Sequence, residues 1–121
     1  MTTAERHEAI CDQFLDHAAD ELRSGDLLQA AEKAWGAFAH CINSIAKRRG
    51  WKVGTHQRLK ANANRLIDRD LEQAPYRRLL LGAVESLHVN FYQELMTEDE
   101  VRRGIDNARE LVDALRDLAN R

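Results

Sequence analysis

Apolar residues recur every three to four positions along almost the whole chain, the period of an amphipathic helix. Thr2 and Glu5 stand at capping-box spacing and open a first predicted helix that runs to about Arg23. Ile10, Phe14, Ala18 and Leu22 form its stripe. Gly25 suits the left-handed position that ends a helix, and Asp26 can cap the next. The second helix spans 27–49. Ala31, Ala34, Trp35, Phe38, Cys41, Ile42 and Ile45 fall on one arc, widened by Ala30, Ala37 and Ala46. An apolar arc of about half the circumference is expected of a central helix. Gly50 ends it, the loop "GWKVG" follows, and Thr55 or His56 starts a third helix with Leu59, Ala63, Leu66 and Ile67 on one face. Pro75, tolerated in a first turn, sets the start of a fourth that runs to about Met96. Its stripe is Leu80, Val84, Leu87, Phe91 and Leu95. Thr97 and Glu100 form a second capping box, and Val101, Ile105, Ala108, Val112, Leu115 and Ala119 line the fifth helix.

One proline and no run of alternating β-branched residues leave no strand to assign. Short connections make an up-and-down, all-α bundle of about five antiparallel helices, centred on the second, fourth and fifth. At 121 residues the chain is read as a single domain, 1–121. The wide arc of the second helix and the coiled-coil-like seam of the fifth exceed what five helices cover easily, so a homodimer is expected. No apolar run approaches the roughly 20 residues of a membrane span, and no signal core opens the chain. A cytoplasmic protein away from membranes is therefore expected. Cys11 and Cys41 sit on helical apolar patterns and read as reduced thiols.

Charge changes this plain picture. The formal net charge is −2, yet no Asp or Glu occurs from Ala34 to Ile67. That window holds seven bases: Lys47, Arg48, Arg49, Lys52, Arg58, Lys60 and Arg65. The other 11 bases face all 20 acids, a net of −9. Lys47, Arg48 and Arg49 occupy the last turn of the second helix, where cations complement the helix dipole. The remaining four are not explained that way. Together the seven make a candidate phosphate or nucleic-acid surface, or a dock for an acidic partner.

Candidate chemistry is sparse. His56 is either a general acid/base or phosphate ligand, or a residue stabilising the start of the third helix. Glu85, His88 and Tyr92 follow Leu81 down one flank of the fourth helix, in steps of four, three and four residues. Glu-x-x-His presents metal ligands in some helical bundles, but only one such motif is present, so a hydrogen-bonded polar seam is the preferred reading. His40 lies opposite the apolar arc and is expected to face solvent. Trp35 belongs to the core. Trp51 either stacks on a base or packs back onto the bundle, and packing is preferred. No zinc spacing, Gly-rich phosphate loop, nucleophile elbow or paired-carboxylate signature is present, and no metal or cofactor is expected.

"SGDLLQAAEKAWGAFAHCINSIAKRRGWKVGTHQRL" resembles the core of the HEPN superfamily of small helical bundles. Gly25-Asp26 before the second helix, the small residues of "AAEKAWGA", a glycine-ended loop and Thr55-His56 carry the resemblance. "ESLHVNFYQEL" before a final helix is similar to a subgroup of small prokaryotic members. The likeness covers most of residues 24–121. It implies one of two roles. The first is a non-catalytic nucleotide- or RNA-interacting module, partnering a nucleotidyltransferase in a toxin–antitoxin-like pair. The second is a metal-independent ribonuclease, whose Arg and His, with four to six residues between them, would be Arg49 and His56. A structural or interaction protein without ligand is the third reading.

Overall fold

Five helices form where the pattern placed them: α1 Thr3–Ser24, α2 Leu27–Arg49, α3 His56–Ile67, α4 Ala74–Phe91 and α5 Glu98–Ala119. The computed structural model describes residues 1–91 and 96–121, the side chains of Asn90 and Phe91 excepted. The expected C-terminal end of the fourth helix, with Phe91, Tyr92 and Leu95, falls on the side chains and residues outside that description. Among the described residues there is no strand, so the protein is an all-α bundle.

Local chemistry sets the helix ends. Thr2–Glu5 and Thr97–Glu100 are both reciprocal capping boxes. Asp26 accepts from the Gln29 amide at 3.1 Å and Thr55 from the Arg58 amide at 3.0 Å. α2 ends in a Schellman turn: Gly50 takes φ +70°, and the Trp51 amide donates to the Ala46 carbonyl at 2.9 Å.

Helix α2 is the hub and touches all four other helices. Every residue of its expected arc is buried. α1 runs antiparallel along it, with Glu8 reaching Arg48 and Phe14 lying over Gly36. The α1 stripe is rotated from expectation. Cys11, Leu15 and Ala18 are the deep positions, while Phe14 and Leu22 are only partly buried. A single stripe read at i+4 steps drifts by one residue over such a length, because 3.6 does not divide it. Leu80, Leu81, Val84 and Leu87 of α4 meet Val101, Ile105, Ala108, Leu111, Val112 and Leu115 of α5 in the same core. The α2 arc and the α5 seam, the reason to expect a homodimer from the sequence, are covered within one chain.

One connection departs from simple up-and-down succession. The start of α3 lies at the level of Trp35, where His56 stacks on that ring. Its end lies at the level of Trp51, which carries Arg65. The loop 50–55 therefore runs back along α2, and α3 follows α2 in the same direction. The Arg49 and Arg69 side chains donate to the Ala119 and Leu118 carbonyls, so α5 ends there too. Three helix C-termini converge at one end of the bundle.

Gly104 fixes the α4–α5 approach. A Cβ placed there would stand 2.3 Å from Leu87 Cδ2 and 3.1 Å from its Cγ. Gly104→Ala gains about 1 kcal/mol of helix propensity but must displace a fully buried Leu, at about 1–3 kcal/mol. A net loss of up to about 2 kcal/mol is expected. Thermal unfolding checks it, and a stabilised variant would show that Leu87 can turn aside.

Candidate functional site

Two surfaces gather the residues singled out by sequence. The first lies at the convergence of the three helix C-termini. Trp51 follows the Schellman turn, packs against the core and carries two guanidiniums on its ring. Arg49 Cζ is 5.5 Å and Arg65 Cζ 4.3 Å from the ring centroid. Arg49 Nη2 also donates to the Ala119 carbonyl at 2.6 Å. Lys52 is exposed beside Trp51, its carbonyl held by Asn62 Nδ2 at 3.0 Å. A shallow cavity of about 210 Å³ opens next to this corner, lined by Ile45, Arg48, Arg49, Ala119 and Asn120.

The seven bases of the acid-free window do not share one fate. Arg48 is neutralised by Glu8 at 2.6 Å and Lys60 by Glu85 at 3.1 Å. Arg58 donates to the Val53 carbonyl at 3.2 Å, near the other end of α3. Among the described residues Lys47, Arg49, Lys52, Arg58 and Arg65 make no ion pair with a carboxylate. Part of this charge answers the convergent carbonyl ends of α2, α3 and α5, an electrostatic need visible only in the fold.

The second surface lies at the other end of α3. The Trp35 ring is nearly buried and carries two imidazoles. His56 is stacked at 5.3 Å and His88 at 5.1 Å, with 6.3 Å between the two. Each imidazole meets a carboxylate: His56 Nε2 lies 2.9 Å from Glu85 Oε2, and His88 Nδ1 3.3 Å from Glu32 Oε2. Lys60 adds a cation on Glu85. The His56 hydrogen bond holds the Glu85 carboxyl below its ordinary range, against the opposing effect of burial, and Lys60 reinforces it. The polar flank of α4 is thus occupied by α2 and α3. Tyr92, its third expected member, lies outside the described residues. Among the described residues no group of three or more His, Cys, Asp or Glu could hold a metal ion.

Arg49 and His56 are not brought together. His56 sits on Trp35, 14 residues up α2 from Arg49, an axial separation of about 21 Å at 1.5 Å per residue. The six-residue spacing that suggested a pair is consumed by the returning loop. What sequence reasoning missed is the pairing of His56 with His88 across Trp35. Its only signal was that Glu32 and Trp35, three residues apart, lie on one helical edge.

His40 corrects an expectation. It is half-buried, not solvent-facing: its Nδ1 lies 2.8 Å from His7 Nδ1, and Phe14 packs edge-on at 5.4 Å. Burial lowers both imidazoles; Lys47 adds to this at His7, and His7 at His40. The neutral forms are favoured in the folded state, so their stabilisation is complete above the ordinary value of 6.5. It is lost as pH falls below that value and through the depressed ones. Stability is expected to decline over this range, and His40→Gln to flatten the decline in urea unfolding measured as a function of pH. Cys11 and Cys41 are free and buried, and their thiols meet across α1 and α2. Hydrogen bonding to Cys11, with burial, pushes the Cys41 thiol well up.

The sequence matches the archaeal PaREP1/PaREP8 family over residues 6–112. The chain belongs to this family. The matched span holds α1 from Arg6, α2 to α4 entire and α5 through Val112, so it includes the Trp35 surface and, of the Trp51 corner, all but the α5 end at Leu118–Asn120. A crystal structure of a protein from Sulfolobus solfataricus is similar in fold, with a TM-score of 0.70 and 23% identity. The alignment covers 98% of this chain and 97% of that one, so the five-helix arrangement extends over both. No curated protein matches the sequence. No described helix is long and apolar enough to cross a membrane.

Proposed function

We propose that this PaREP1/PaREP8 protein is a non-catalytic module that binds the phosphates of RNA or of a nucleotide at the Trp51 corner. The observation that carries the reading is the pair of guanidiniums, Arg49 and Arg65, on one aromatic ring with the exposed Lys52 next to it in the chain, none of the three ion-paired among the described residues. Trp51 holds both guanidiniums in place, so the N–H donors along their edges are pre-set for phosphate oxygens. The acidic remainder of the chain confines such a ligand to this end. The reading carries with it kinship to HEPN bundles and a nucleotidyltransferase partner that presents the ligand. Fluorescence anisotropy with a labelled single-stranded RNA, and with a labelled nucleotide in a second arm, tests it across a salt series. Binding that weakens steeply with salt is expected. Absence of binding to both probes at low salt would sink the proposal.

A metal-independent ribonuclease is the second reading, favoured by the two carboxylate-bound imidazoles stacked on Trp35. There His56 and His88, rather than Arg49 and His56, would supply the acid and the base. Cleavage of mixed RNA in excess chelator, lost in His56→Ala, is the outcome that would replace the first reading with this one.

A further inference from the structure

Among the described residues, four of the five exposed large hydrophobic side chains lie on or just before α4: Leu71 at 75%, Tyr76 at 49%, Leu79 at 72% and Val89 at 52%. On a helical wheel Pro75, Leu79, Gly82, Ala83, Ser86 and Val89 form a continuous outer stripe without a single charge. This is unusual in a chain with 31% charged residues. The opposite side of α4 already fills the core with Leu80, Leu81, Val84 and Leu87. A helix that is apolar on both sides is one that is covered on both sides.

Gly82 sharpens the point. Glycine is among the poorest helix formers, and a Cβ there would meet nothing within 4 Å. No contact among the described residues requires a glycine, whereas a second helix crossing closely does. Ser86 is small as well, and its hydroxyl donates to the Ala83 carbonyl at 2.7 Å, so it needs no water. Beside the stripe a groove of about 320 Å³ runs between α4 and α5, lined in part by Ala83, Ser86, Asn107 and Arg103.

We infer that this face docks a second copy of the chain, with the two α4 helices antiparallel about a twofold axis at Gly82. Charge placement selects this occupant. In that crossing a position before Gly82 meets the equally distant position after it in the other copy. Arg78 of one copy then stands near Glu85 of the other. The α5 flanks also face each other. Glu110, which accepts from Tyr76 in the first half of α4, comes opposite Arg103, next to the Gly104 that packs on Leu87 in the second half. Both flanks pair opposite charges, and self-complementarity of one patch is what a twofold interface requires. The same symmetry sets both α3 flanks, with their His56–Glu85 pairs, along one side of the dimer.

Size-exclusion chromatography with light scattering tests this on the full chain. The wild type is expected at twice the 13.9 kDa chain mass. Leu79→Glu is expected at the single mass with an unchanged helical circular dichroism spectrum, since Leu79 touches little of its own chain. Glu110→Arg and Arg103→Glu should each weaken the dimer by about tenfold or more, and the double exchange should recover most of it. A monomeric wild type at high micromolar concentration overturns the inference and assigns the face to another partner. A Leu79→Glu variant that remains dimeric overturns it equally, because the contact would then lie elsewhere.

Discussion

Phe38→Ala is expected to remove about 3–5 kcal/mol of folding stability, a large share of the 5–15 kcal/mol typical of a domain. Phe38 is the largest side chain without solvent exposure among the described residues. It sits on α2, which contacts all four other helices, and its ring lies 5.4 Å from that of Trp35. A cavity there cannot close by moving one neighbour, because α2 is held by α1, α3, α4 and α5 together. The loss should therefore fall at the severe end for such truncations, and the melting temperature should drop by about 10–20 °C. Chemical denaturation with unchanged slope would confirm that stability, not the unfolded state, has changed. Phe38→Leu should cost well under half as much. Exposed Met1→Ala should lie within about 0.5 kcal/mol of the wild type. A Phe38→Ala loss below about 1.5 kcal/mol would mean that the hub is not the structural centre described here.

How much of this was legible in the sequence depends on the range of the interaction. The capping residues Thr2, Asp26, Thr55 and Thr97 act over three positions, and each one starts a helix as its spacing implies. The α2 arc was equally legible, since a helix apolar over half its surface has few places to go. The direction of α3 was not. It depends on the loop 50–55 lying back along α2, pinned by the Asn62 bond to the Lys52 carbonyl and by Arg65 on Trp51, both long-range contacts. That one reversal decides the candidate sites. It separates Arg49 from His56, which local spacing had joined, and it brings His56 to His88, 32 positions away. His40 was misplaced for a related reason. On the wheel of α2 it lies off the apolar arc, but α1 covers that side and supplies His7 and Phe14 as neighbours.

Exchange of Arg49, Lys52 and Arg65 for Gln should weaken RNA binding by about two orders of magnitude at 0.1 M salt. The estimate follows from counterion release. Each single-strand phosphate contact contributes about 0.7 to the slope of log affinity against log salt, so three contacts change the slope by about two units. Stability must be followed in parallel, because these side chains also serve the fold. Trp51 loses two cation–π contacts worth about 0.5–1 kcal/mol each, and the Ala119 carbonyl loses its donor. Comparison with the double variant Arg49→Lys/Arg65→Lys, which keeps the native Lys52, separates the two roles. It keeps the charge and gives up the planar stacking on Trp51. If the corner binds phosphates, the Lys variant should retain most of the salt slope while losing a similar increment of stability. The Gln variant should lose both. Equal RNA affinity for the Gln variant and the wild type, with both folded, would leave only the structural role: cations gathered where α2, α3 and α5 end together.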